Sequence, residues 1–200
     1  MKKIIKFADL CSGMGGFRFA SKKIISKNFK LKHIIASDID DKCEIVYKSI
    51  FGSNDAFEKD VKNLCVKSNK FFNIFSKVDL VFAGFPCQPF SVAGVVSNRH
   101  WDKNKPASKK QKSGFDYKDI KEGGEQGQVF NGLLRIIKKK RPKVLLLENV
   151  RGLLSHDKGR TWEIIQEDLR REKYEVYYKV IDAVHWVPQH RKRIFKFGKH

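Results

Sequence analysis

Cys87 sits in Gly84-Phe85-Pro86-Cys87-Gln88-Pro89-Phe90-Ser91, directly after the apolar run Val78–Ala83. That run reads as a buried strand. The two prolines fix φ on either side of the cysteine and remove two backbone donors, so the loop has few conformations to lose on ordering. In open α/β sheets, ligands bind beyond the carboxyl ends of the strands. A thiol held rigidly there is a candidate nucleophile, reactive as the thiolate. Taken singly, the residue reads more readily as a buried structural cysteine in a proline turn.

Three further groups of residues carry chemistry. Glu148 follows the apolar strand Lys143–Leu147, and parallel pairing of that strand with the one before Cys87 would put thiol and carboxyl on one sheet edge. Asp9-Leu10-Cys11-Ser12-Gly13-Met14-Gly15-Gly16-Phe17 runs from a first strand, Ile4–Leu10, through a glycine turn into a helix expected to reach about Lys27. Strand, glycine turn and helix form the context of a nucleoside- or dinucleotide-binding loop; a merely tight turn is the alternative. Asp38 ends the second strand, Lys32–Ser37, where an acid can accept hydrogen bonds from ribose hydroxyls. Asp60 closes Phe57–Val61. Either aspartate also reads as a helix N-cap, and for Asp60 alone the cap is the preferred reading.

The elements that must position these groups alternate between strand and helix. A helix spans Gln128–Lys140, another Gly159 to about Arg171, and strands cover Tyr174–Val180 and Ile194–Gly198. That order predicts a single-domain, doubly wound, mostly parallel α/β sheet over residues 1–200. Residues 95–126 show no hydrophobic period and are rich in lysine. Such a long loop either closes over a phosphate backbone or is a solvated insertion.

Forty-two Lys and Arg against 22 Asp and Glu give a net charge of +20, which points to a polyanionic partner. A general lysine bias would produce the same number. The four cysteines are far apart, with no paired cysteine motif and no histidine at ligand spacing. That argues against a metal site or a disulfide framework and fits a reducing, cytoplasmic setting. No stretch approaches the ~20 apolar residues of a membrane span.

These blocks, in this order, resemble the catalytic domain of the cytosine-5 DNA methyltransferases. The resemblance rests on Asp9–Phe17, Asp38, Asp60, Gly84–Ser91, Glu148-Asn149-Val150 and Gln189-x-Arg191-x-Arg193. It implies a Rossmann-like fold, S-adenosylmethionine as cofactor, and transfer of its methyl group to carbon 5 of a flipped-out cytosine in double-stranded DNA. Cofactor contacts would come from Asp9, Gly13, Gly15, Gly16, Phe17, Asp38, Ile39, Asp60, Val61 and Gly84. Cys87 would be the nucleophile and Glu148 the acid at ring nitrogen 3. Arg193 would contact the base carbonyl, Arg191 would hold the catalytic loop, and the Phe85 backbone would face the exocyclic amine. Cys11 and Asp38 stand where this family commonly has Phe and Glu. The family continues beyond Gln-x-Arg-x-Arg into a target-recognition region and an Asn-containing segment of the cofactor pocket. The expectation is therefore that a second polypeptide supplies those parts, as in a split enzyme within a restriction–modification system. A tRNA cytosine methyltransferase and a non-catalytic remnant are the alternative readings.

Overall fold

Residues 2–75, 78–86 and 125–200 are described in the computed structural model of the chain; for 125–128 and 157 the description is confined to the backbone. Cys87, the rest of its loop and nearly all of the lysine-rich stretch at 95–126 lie outside the described residues.

Seven strands form one sheet in the order β3-β2-β1-β4-β5-β7-β6. They are β1 (Lys3–Leu10), β2 (Phe29–Ser37), β3 (Phe57–Glu58), β4 (Leu80–Gly84), β5 (Val144–Val150), β6 (Glu175–Asp182) and β7 (Lys192–Lys199). The pairs β1–β2, β2–β3, β1–β4 and β4–β5 are parallel, whereas β7 runs antiparallel to both β5 and β6. The helices are α1 (Gly16–Lys22), α2 (Asp41–Phe51), α3 (Phe72–Phe75), α4 (Glu125–Lys140) and α5 (Arg160–Arg171). The chain order changes direction between β1 and β4, the kind of switch point at which open α/β sheets bind ligands.

Burial follows the apolar runs. Ala8, Leu10, Ile35, Val81, Ala83, Leu145 and Leu147 form the centre of the core, covered by Leu133, Ile136 and Ile137 of α4 and by Ile165 and Leu169 of α5. At ~25 cal/mol per Å² of apolar surface removed from water, this double coverage is the main force holding the central strands. A second, smaller cluster joins Ala36, Tyr47 and Phe57 under α2.

The largest differences from the sequence reading are at three element boundaries. Helix α1 stops at Lys22 rather than near Lys27. β-Branched Ile24 and Ile25 follow, and the Ser26 hydroxyl accepts from the amides of Asn28 and Phe29. These local contacts turn the chain into β2, which begins at Phe29 instead of Lys32. Helix α4 begins at Glu125, three residues before the expected start and inside the stretch assigned to the loop.

The alternation of β7 also runs opposite to its hydrophobicity. Ile194, Lys196 and Gly198 are buried, while Phe197 is exposed. Lys196 lies opposite Leu147 in the register, and its ammonium sits 3.8 Å from the centre of the Trp162 ring on α5. Its Nζ has no hydrogen-bond partner among the described residues, and burial pushes its pKa well down.

Candidate active site

Four of the sequence blocks meet at the carboxyl edge of the sheet. Strands β4 and β5 pair in register so that Gly84 lies opposite Glu148. A Cβ built on Gly84 would stand 3.4 Å from Glu148 Oε2 and 3.7 Å from the Cys11 carbonyl oxygen. Both are ordinary contact distances, so β4 passes directly beside the carboxylate. Across the other side of β5, Glu148 Oε1 lies 3.0 Å from Arg193 Nε. Val150 faces Arg193 and Glu148 faces Phe195 in the antiparallel β5–β7 register. The guanidinium therefore reaches the carboxylate diagonally, along one face of the sheet.

Burial raises the Glu148 pKa above the ordinary carboxylate value, and the nearby Arg193 and Arg191 charges draw it back. A carboxyl so placed is easier to protonate than a solvated one. Behind it, Asn149 is buried and donates through Nδ2 to the Phe85 carbonyl at 3.1 Å. Its Oδ1 accepts from the Val150 amide at 2.8 Å. Asn149 thus ties the exit of β4 to the end of β5, a role that the sequence reading did not assign. Phe85, Glu148, Asn149, Trp162 and Lys196 line a cavity of about 10 Å³, near the least room that holds one water.

The glycine turn lies on the same edge. Gly13 and Gly15 have φ of +53° and +86°, conformations that glycine adopts at little cost. The glycines differ in surroundings. A Cβ on Gly13 or Gly16 would meet nothing within 4 Å, whereas one on Gly15 would collide with the Phe51 and Tyr47 rings. Gly15 is therefore required for packing against α2, and Gly13 and Gly16 border open space into which a ligand can come close.

Asp38 holds this turn. Its Oδ2 accepts from the Gly13 amide at 2.7 Å and its Oδ1 from the Asp40 amide at 3.0 Å. The N-cap of α2 is Asp40, bonded to the Lys42 amide at 2.8 Å, and not Asp38. Each Asp38 oxygen keeps a second lone pair for another donor. Asp60 caps the 3₁₀ turn Val61–Cys65 through the Lys62 amide at 2.9 Å, the cap that its sequence position suggested. Val61 is buried beside it, and Ile39 is exposed. Phe17 stacks on Phe82, with ring centroids 5.0 Å apart and planes 6° from parallel.

Asp9 lies beneath the turn rather than facing its open side. It is fully buried, with neither carboxylate oxygen in a hydrogen bond of good geometry among the described residues. Burial pushes its pKa up to about 7, against the pull of the Arg18 amide and guanidinium. Arg18 is ion-paired with Asp55, and its guanidinium carbon stands 4.3 Å from the Phe51 ring centre and 5.3 Å from that of Tyr47. This buried polar chain under the glycine turn was not read from the sequence. An arginine at the third position of a glycine-capped helix, with an acid at the preceding strand end, was its available signal.

The remaining expected residue, Arg191, is exposed, and its backbone amide donates to Asp182 Oδ1 at 2.9 Å. Its placement relative to the Cys87 loop falls outside the described residues. Among the described residues, no cluster of His, Cys, Asp and Glu could hold a metal ion, and no helix is long and apolar enough to cross a membrane.

The family model for C-5 cytosine-specific DNA methylases matches residues 5–200. The chain is 35% identical to the type II methyltransferase M.DsaV of Dactylococcopsis salina over 98% of its own length and 46% of that protein. It is 34% identical to M.HgiCI of Herpetosiphon aurantiacus, covering 98% of this chain and 39% of the relative. The chain thus spans less than half the length of these curated relatives. Among solved structures, Entamoeba histolytica methyltransferase EhMeth superposes with a TM-score of 0.69 at 19% identity, over 99% of this chain and 53% of the other. S. pombe Dnmt2 methyltransferase gives 0.65 at 17%, over 98% and 50%. At these identities the structural likeness speaks to the Rossmann-like fold alone.

Proposed function

Because the chain belongs to the C-5 cytosine-specific DNA methylase family, we propose that it carries the catalytic machinery for methylating carbon 5 of cytosine in double-stranded DNA. The setting is restriction–modification, as for the relatives named type II methyltransferases. The observation that supports this most directly is the Gly84–Glu148–Arg193 arrangement at the sheet edge from which the Cys87 loop departs.

S-adenosylmethionine is the methyl donor of this family and, when bound, supplies a sulfonium methyl group. The open side of Gly13 and Gly16, with Phe17, Asp38, Ile39, Asp60 and Val61 around it, fits a nucleoside-bearing ligand. Asp38 would take the ribose hydroxyls on its spare lone pairs. Asp60 would accept from the adenine amine, with Ile39 and Val61 against the ring. Asp9 contributes from below, as support for the turn.

The chemistry then falls to the chain's own side chains. The cytosine must leave the duplex, at an unstacking cost of about a few kcal/mol. The Cys87 thiolate adds to carbon 6 of the ring, and the carbon 5–carbon 6 π electrons become available at carbon 5. Glu148, protonated, donates to ring nitrogen 3 as negative charge develops there. Arg193 offers its planar, permanently charged fork to the adjacent carbonyl oxygen and to Glu148. After carbon 5 takes the methyl group, its proton leaves to a base, the double bond re-forms, and the Cys87 thiolate is expelled. Arg191 and Arg193 also favour the thiolate electrostatically.

The relatives carry a further portion in the same polypeptide. We assign target recognition and completion of the cofactor pocket to the corresponding portion. The test is transfer of tritiated methyl to duplex DNA and to tRNA, by the chain alone and together with the unmatched remainder of a relative. Incorporation into duplex DNA that depends on the added portion supports the reading. Strong sequence-specific activity from the 200 residues alone contradicts the assignment of recognition to that further portion, and incorporation into tRNA alone contradicts the DNA part.

A further inference from the structure

The turn between β6 and β7 is built around one carboxylate and ends in an exposed aromatic ring. Asp182 Oδ1 accepts from the Val184 amide at 3.3 Å and from the Arg191 amide at 2.9 Å, and His190 Nδ1 donates to Oδ2 at 3.0 Å. The amides of Trp186 and Val187 both donate to the Ala183 carbonyl, at 2.9 and 3.0 Å, and the Ala183 amide donates to the Arg191 carbonyl at 3.2 Å. These bonds fix the loop internally. They leave the Trp186 side chain 73% exposed, with His185 edge-on to it at 5.7 Å.

An indole held out to water by an ordered loop can offer its face to a flat, stackable group. The neighbouring side chains indicate the partner's sign. His185 stands beside the ring, His190, Arg191 and Lys192 lie on the same loop, and the loop's acid, Asp182, is engaged by His190, Lys192 and backbone amides. Asp182 pairs with Lys192, and Val150 with Arg193. The loop therefore stands on the same sheet edge as Glu148. With a chain charge of +20, an acidic strand with flat, stackable groups fits best, and a basic protein surface fits worst.

We infer that Trp186 is a nucleic-acid contact, stacking on a base or sugar of the DNA strand beside the reacting nucleotide while Lys192 meets its phosphates. The inference rests on the function proposed above and extends it to a substrate-positioning residue, since Trp186 touches neither Cys87 chemistry nor the Glu148–Arg193 pair. Aromatic stacking of this kind is worth ~1–3 kcal/mol per base, or about tenfold in affinity at ~1.4 kcal/mol.

The test is binding of a fluorescent duplex oligonucleotide to the 200-residue chain across a salt series. Trp186→Ala should weaken binding about tenfold without changing the salt slope, and Trp186→Phe should restore most of it. Lys192→Ala should reduce the slope by about one phosphate contact. DNA-dependent quenching of tryptophan emission should fall in Trp186→Phe, any remainder coming from Trp101 and Trp162. Equal far-ultraviolet circular dichroism and melting of the variants excludes misfolding as the cause, since the ring is exposed. Binding by Trp186→Ala within twofold of wild type, no binding by the wild-type chain, or quenching undiminished in Trp186→Phe would overturn the inference. Association of Trp186 with another protein instead of DNA would do the same. Calorimetric binding of S-adenosylmethionine to the chain combined with the remainder of a relative separates the two levels: with cofactor binding intact, only the Trp186 assignment falls, and its loss in the wild type strikes the function itself.

Discussion

Glu148 and Arg193 are partners across the β5–β7 pair, with Oε1 and Nε 3.0 Å apart and both side chains about three-quarters shielded from solvent. Burial favours the neutral carboxyl and the guanidinium favours the ionised one. A group balanced between the two forms suits a step in which charge appears on a ring nitrogen and then disappears. Glu148→Gln keeps the shape and a donor but loses the ability to give up a full proton. Methyl transfer should fall ~100-fold or more, at an effect per donor of ~2.7–4 kcal/mol. Duplex affinity should change by less than about threefold, as measured by single-turnover transfer beside equilibrium binding.

The glycine turn makes a two-way prediction. Gly16 opens α1 without a positive φ, and a Cβ there meets nothing within 4 Å. Gly16→Ala should leave the melting temperature unchanged or slightly higher, yet weaken S-adenosylmethionine binding about tenfold or more in calorimetry. Gly15→Ala should do the reverse in cause: with φ at +86° and Phe51 and Tyr47 in the way, it loses stability first. A loss of ~2 kcal/mol or more in urea unfolding follows from strain plus overpacking.

Asp9 gives a pH dependence with a definite sign. Its pKa is about 7 in the fold against 3.8 as the ordinary value. Between those values the folded chain holds a proton that the unfolded chain has lost. Its contribution to stability is therefore greatest at acidic pH and declines as pH rises from about 4 to about 7. Asp9→Asn should flatten that part of the stability–pH curve and be relatively more stable than wild type at pH 8. Urea unfolding of both proteins at pH 5, 6.5 and 8 reads this as their difference, which cancels the opposing contribution of partly buried His33, and a difference that stays constant over that range would contradict it.

Much of this architecture was legible in the chain itself. Apolar runs such as Leu80–Gly84 and Val144–Val150 located the parallel centre, because strands buried on both faces have few other compositions. Helix caps followed from short polar side chains, as at Asp60. What stayed hidden depends on tertiary context. In Ile194-Phe195-Lys196-Phe197, simple alternation would bury Phe197 and expose Lys196, but Ile194 and the Trp162 ring draw the opposite face inward. Asn149 looked like a strand-end residue until the Phe85 carbonyl appeared within reach of its amide. Asp38 was read as a ribose ligand or a cap, and the structure adds a third task, holding the Gly13 amide.

The central claim is that the thiol of Cys87 attacks the pyrimidine that Glu148 protonates. Duplex DNA with 5-fluorocytosine at the target position tests it most directly, because fluorine at carbon 5 prevents release once the methyl group has been transferred. The chain, supplied with S-adenosylmethionine and the remainder of a relative, should form a covalent protein–DNA adduct stable to denaturation. Peptide mass mapping should place it on Cys87, and Cys87→Ala should abolish it. An adduct on Cys11, Cys43 or Cys65, or undiminished trapping by Cys87→Ala, would contradict the account.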